Sequence, residues 1–239
     1  MTRRFYSAVS VAATGDGHAV LLDGRPVRTP GRAVLALPTV ALAHAIAAEW
    51  AGQGETVDPK SMPITRLANT VLDGILANPG PVADAIANYA ASDLLCHRAD
   101  WPADLVARQA AAWDPLIDWA NRRFDIALTV GAGVMPIPQA PATRARLSAA
   151  VHALDPWTLA ATHMATTVTG SLILGLMLAD GAIDPERAWA AGQLDDLYQA
   201  EQWGEDPEAA KARAARRADL DTAAIILRLL ADVHGPSSD

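Results

Sequence analysis

The feature that most constrains this chain is a change of hydrophobic period near residue 38. From Phe5 to Leu37 the apolar residues come in short runs, FYSAVSVAA, HAVLLDG, RPVRT and RAVLAL, separated by Gly15, Gly17, Gly24, Gly31, Pro26 and Pro30. Proline lacks the N–H that a ladder needs and glycine accepts positive φ, so this stretch reads as a meander of short antiparallel strands. Asp23-Gly24 between two apolar runs signals a hairpin turn. From Pro38 onward Leu42, Ala45, Ile46, Glu49 and Trp50 fall at three- and four-residue spacings, the period of an amphipathic helix. The expected fold is α+β: a small β-rich N-terminal domain over 1–38, a larger helical domain over 39–235, and a disordered tail over 236–239.

Within the helical part, helices are predicted over 39–53, 64–76, 82–96, 102–123, 142–154, 156–179, 184–200 and 206–233. The boundaries rest on Asn78-Pro79-Gly80-Pro81 as a break, Pro102 at a first turn, and Asp184-Pro185-Glu186 as an acidic cap followed by proline. Phe124–Val130 alternates like an isolated strand that returns to a sheet or packs as an extended segment. Leu159–Ala179 has the roughly 20-residue length of a membrane span. Its first half carries Thr162, His163, Thr166, Thr167, Thr169 and Ser171, so a helix buried in a soluble bundle is expected, with no membrane insertion.

Composition narrows the function. The chain has 239 residues, 51% hydrophobic and 19% charged, with a net charge of −8, which argues against a disordered chain and against a general nucleic-acid binder. A single cysteine, Cys96, excludes an internal disulfide framework and most thiolate metal sites. The N-terminus shows no apolar signal core, and a bacterial cytoplasmic location is expected.

No sequence constellation points strongly to catalysis. Asp93, Cys96 and His97 fall within about one predicted helical turn. Cys96 and His97 are adjacent and point apart, while Asp93 and His97 are spaced as an ordinary helix-surface pair. His18, His44, His97, His152, His163 and His234 are scattered, with no zinc spacing. There is no P-loop, no dinucleotide fingerprint and no GxSxG. Thr169-Gly170-Ser171 is read as lying inside a helix, where small residues permit close packing. No cofactor or metal is expected.

Charge and tryptophan are unevenly distributed. Nine acids and one base, Arg187, lie between Asp180 and Glu208, whereas the first 35 residues hold five Arg against two Asp. The acidic stretch reads either as solvated surface or as a docking face for a basic partner. Trp50, Trp113, Trp119, Trp157 and Trp189 fall at helical positions and are expected mainly in the core. Trp203, at a helix end among acids, reads either as core or cap packing or as an interface anchor.

Several segments together resemble a known family, the assembly chaperones of the F1 sector of ATP synthase, and specifically the one that receives the alpha subunit. They are Arg4-Phe5-Tyr6, LDGRPVRTP at 22–30, AAEWAGQ at 47–53, MPITRLANT at 62–70, DLLC at 93–96, WDPL at 113–116, Thr169-Gly170-Ser171, and LDDLYQ at 194–199 leading to Trp203-Gly204. The chain departs from the family pattern at His97, where Tyr is common, and at Asp195-Asp196, where Glu is common.

The resemblance implies a β-rich N-terminal and a helical C-terminal domain. It implies a chaperone rather than an enzyme, with no nucleotide requirement, that binds unassembled F1 alpha subunit and shields its beta-facing apolar surface. It further implies a partner-binding surface at Asp195, Asp196, Tyr198, Gln199, Glu201 and Trp203. Glu49, Trp50, Arg66 and Asp93 fall in matched motifs, in structural or binding roles. The alternatives are a small-molecule enzyme built around Asp93, His97 and Arg66, or an adaptor with another client.

Overall fold

The computed structural model of the chain describes residues 2–15, 17–133 and 135–231. The expected tail at 236–239 lies outside them. Contacts divide the chain into two compact units: residues 1–79 with 156–161 and the segment from 225, and residues 80–155 with 162–224.

In the first unit, β1 (Thr2–Arg3) pairs antiparallel with β6 (Thr56–Val57). The hairpin of β2 (Val9–Thr14) and β3 (Gly17–Leu22) runs in register from Val9 opposite Leu22 to Thr14 opposite Gly17. The expected turn at Asp23-Gly24 is present. Both residues take positive φ, 47° and 78°, as a two-residue turn that follows the twist of its strands requires. It leads into β4 (Arg25–Pro26), and β5 (Ala36–Leu37) pairs with the start of β3.

Thr39 caps α1 (Val40–Ala51) by accepting from the amide of Leu42 at 3.0 Å. The helix buries Leu42, Ala43 and Ile46 and packs on β2 and β3. That packing places α1 with the strands in the first unit, past the change of hydrophobic period at residue 38, because a sheet face needs a covering element. The helix α2 (Pro63–Thr70) passes into a single π-turn at Val71–Ile75. There Asp73 accepts hydrogen bonds from the Thr29 hydroxyl and the Gly31 amide, at 2.5 and 2.8 Å.

The rest of the chain is mostly helical, and four segments differ from expectation. The helix expected over 82–96 is shorter: α3 (Gly80–Ala87) gives way to 3₁₀ turns at Asn88–Ala91 and Leu94–Cys96. The strand expected over 124–130 is absent there. The short parallel pair is instead β7 (His97–Arg98) with β8 (Gly131–Ala132), because Leu128 and Thr129 spend their amides on the side chains of Asn121 and Gln139. Between them lies α4 (Ala103–Phe124), much as expected, and α5 (Pro141–His152) follows.

The long helix expected over 156–179 is two helices, α6 (Pro156–Thr169) and α7 (Leu172–Ala179). Gly170, at φ +71°, ends the first, and the Ser171 hydroxyl caps the second by accepting from the Leu174 amide at 3.1 Å. No described helix is long and apolar enough to cross a membrane. The segment from Asp184 is also divided at Gln193, into α8 (Pro185–Gly192) and α9 (Leu194–Trp203), before α10 (Pro207–Ala231).

Candidate functional site

The six residues expected to contact a partner lie on or at the end of α9, and helical geometry sends them to two faces. Asp195 and Tyr198, three apart, point at α4. Asp195 accepts from the buried Gln109 amide at 2.7 Å, and the Tyr198 hydroxyl stands 2.9 Å from both carboxylate oxygens of Asp104. Glu201 pairs with Arg108 at 2.6 Å, and the Arg108 guanidinium lies over the Tyr198 ring. These three side chains fasten α9 to α4.

Asp196, Gln199 and Trp203, at i, i+3 and i+7, share the other face. With Ala209, Arg213 and Arg216 of α10 they line a groove of about 400 Å³. Gly204, at φ +86°, terminates α9 immediately after Trp203 and leaves that indole 78% exposed. An indole so exposed is not packed in the core or against the helix cap.

The acidic stretch is not a bare negative face. Asp196 pairs with Arg216, Glu205 with Arg213, Glu186 with Arg217, Asp180 with Arg123 and Glu201 with Arg108. Asp184 and Asp206 accept backbone amides at the starts of α8 and α10. Including Asp195, eight of the nine acids are engaged. Glu208 is the remaining one.

Glu49 acts on backbone. Its carboxylate accepts the Ile64 and Thr65 amides, each at 2.8 Å, and the Thr65 hydroxyl at 2.6 Å. The N-cap position of α2 is Met62, which has no capping oxygen, and Pro63 has no N–H, so Glu49 satisfies the first free donors of that helix from α1. Trp50 is half-buried rather than a core residue; its carbonyl accepts the Tyr6 hydroxyl at 2.7 Å. Arg66 is exposed on α2.

Asp93 is 1% exposed and accepts from the Ser171 hydroxyl at 2.8 Å and from the amides of Leu95 and Ile173, each at 3.1 Å. Burial pushes its carboxyl above the usual aspartate range, against those hydrogen bonds. Neither His97 nor Arg66 is among its partners. With α3 ending early, the helical spacing of Asp93 and His97 does not exist. Burial, and secondarily the Asp93 charge, pushes the Cys96 thiol up to about 12, so it is no nucleophile at neutral pH. No cluster of His, Cys, Asp and Glu suited to a metal occurs among the described residues. The catalytic alternative therefore finds no centre at these residues.

Two exposed apolar side chains escaped the sequence reading. Trp101 is 79% and Met135 73% exposed. Trp101 directly precedes Pro102, a position whose burial no periodicity reports.

Residues 3–121 match the family described as ATP12 chaperone protein. The mitochondrial protein atp12 of Schizosaccharomyces pombe is 24% identical over 250 residues, spanning 99% of this chain and 86% of the relative. The crystal structure of Atp12 from Paracoccus denitrificans superposes with a TM-score of 0.92 at 44% identity, covering 95% of this chain and 98% of that one. An aspartate-to-lysine variant of the Paracoccus protein superposes with a TM-score of 0.91, also at 44% identity, over 95% and 97% of the two chains. At that identity and coverage, this chain belongs to the ATP12 chaperone family and is a chaperone, not an enzyme.

Proposed function

We propose that this chaperone serves assembly of the F1 sector of ATP synthase by binding the unassembled alpha subunit, shielding its beta-facing apolar surface and yielding it when beta arrives. The observation that carries this reading is Trp203, a large aromatic held 78% exposed while lining the α9–α10 groove. An uncovered apolar patch on a subunit awaiting its partner drives aggregation, and an exposed tryptophan over a concave floor is the kind of anchor that covers one. Because Arg213 and Arg216 already answer Glu205 and Asp196, the groove suits an apolar client surface better than a strongly basic one.

Asp196, Gln199 and Trp203 are the contact residues in this reading. Asp195, Tyr198 and Glu201 hold them in place through α4, while Glu49 and Asp93 support the fold. Binding requires no nucleotide or cofactor, and the work belongs in the bacterial cytoplasm beside the inner membrane.

The test is light scattering of isolated F1 alpha subunit with and without this protein, in the absence of nucleotide. Suppression near one-to-one stoichiometry, with a complex on gel filtration, supports the reading. Continued aggregation with no complex refutes it and leaves an adaptor with another client.

A further inference from the structure

We propose that a second groove, formed within the first unit, binds an acidic peptide segment bearing an aromatic or large aliphatic side chain. This rests on the chaperone reading above, in that the segment is a stretch of the client. The groove measures about 550 Å³ and is walled by Phe5, Tyr6, Leu22, Val27 and Trp50, with Arg25 and Arg28 also lining it.

Three aromatic rings run in series along it. Phe5 meets Tyr6 edge to face at 5.3 Å, and Tyr6 meets Trp50 at 5.7 Å. Tyr6, Leu22 and Val27 are buried, whereas Phe5 is left 68% exposed. A ring so placed has apolar surface still to bury, which an incoming side chain would cover. The indole N–H of Trp50 is buried and finds no acceptor in the protein. Because the indole belongs to the wall of the groove, this N–H reports on occupancy without itself contacting a ligand.

The charge of the groove sets the sign of its ligand. Arg25 and Arg28 are exposed, and neither has a carboxylate at ion-pair distance among the described residues. Arg28 donates only to the Arg32 carbonyl, at 2.8 Å. The one acid lining the groove, Asp23, is committed to the amides of Ser7 and Ala8. Two unanswered guanidiniums beside an aromatic wall match a carboxylate next to an apolar side chain. The α9–α10 groove differs in this respect, since its arginines already hold carboxylates.

The experiment titrates the ¹⁵N-labelled full chain with two short synthetic peptides, one a phenylalanine flanked by aspartates and the other the same peptide with lysines. The expected result is binding of the acidic peptide only. It should shift the Trp50 indole N–H and the amides of residues 5–8 and 22–28, and it should weaken as salt is added. Arg25→Glu with Arg28→Glu should lower the affinity at least about tenfold, and Arg25→Gln with Arg28→Gln by less, with melting temperatures unchanged. Equal binding of both peptides, binding indifferent to the double charge reversal, or no shift with either peptide overturns the proposal. Capture of alpha subunit by the wild-type chain is scored in parallel. Peptide binding without capture would remove the client assignment but not the groove, and capture without peptide binding would remove the groove alone.

Discussion

The Ser171 hydroxyl donates a 2.8 Å hydrogen bond to the Asp93 carboxylate across 78 positions of sequence. The same carboxylate accepts the Ile173 amide, and the Leu94 amide donates to the Gly170 carbonyl at 3.2 Å. Together these bonds tie the irregular segment after α3 to the first turn of α7.

Replacing Asp93 by Ala leaves the Ile173 amide and the Ser171 hydroxyl buried and short of an acceptor. The expected cost is about 2–4 kcal/mol, read as a lower urea midpoint. Asp93→Asn separates charge from shape. A carboxyl whose native pKa is raised adds stability that is full below its unfolded value and is lost as pH rises through the native one. Burial raises Asp93 in this sense. The wild-type chain should therefore gain stability over Asp93→Asn as pH falls from neutrality towards the usual aspartate range. Paired urea titrations across that window check this, and a difference that is flat or grows with pH contradicts it.

Glu49→Ala should uncap α2. Two backbone donors and the Thr65 hydroxyl lose a charged acceptor, for an expected loss of about 2 kcal/mol. Glu49→Gln keeps one carbonyl oxygen and should cost less. Thermal unfolding of the pair ranks them, and equal stability of wild type and Glu49→Ala would remove the capping role.

Trp203→Ala should leave the melting temperature nearly unchanged, since a 78% exposed side chain contributes within about 0.5 kcal/mol. Client capture should fall by about tenfold or more. Asp196→Lys should likewise fold, because its pair with Arg216 is half-exposed and worth at most about 1 kcal/mol, yet weaken capture. Gel filtration with alpha subunit decides both, and normal capture by either variant would strike that residue from the contact surface.

Trp113→Ala should be severe. Trp113 is fully buried, donates to the Ala191 carbonyl at 2.9 Å and carries the Arg98 guanidinium over its ring. About 3–5 kcal/mol is expected, whereas half-buried Trp50→Ala should cost less. Comparing the two denaturation midpoints tests whether burial, not residue type, sets the effect.

Local signals carried much of the fold. Asp23-Gly24 specifies its turn through φ, and Asp184-Pro185 starts α8 because capping oxygen and missing N–H both suit a first turn. The helical period of residues 40–51 was legible for the same reason: each signal lies within a few residues of the structure it determines.

Where helices broke was less legible. Gly170-Ser171 lies in a stretch apolar enough to read as one helix, and only Asp93, brought from far away in sequence, completes the Ser171 cap. The alternation at 124–130 does not become a strand, because the side chains of Asn121 and Gln139 take the amides of Leu128 and Thr129, and the parallel pair forms instead between β7 and β8. The candidate site shows the same division. The spacing of Asp195, Asp196, Tyr198, Gln199 and Trp203 along α9 is written in the sequence, but which face meets α4 and which meets α10 is not. Nor does sequence show that Arg108, Arg123, Arg213, Arg216 and Arg217 answer the acids, since a charge reveals nothing of its partner until the chain brings the two within a few ångströms. The sequence alone determined the helical and strand periods, the turns and the family. The tertiary structure alone decided which polar groups are satisfied internally and which remain free to meet a partner, because hydrogen bonds and ion pairs depend on distance in space rather than along the chain.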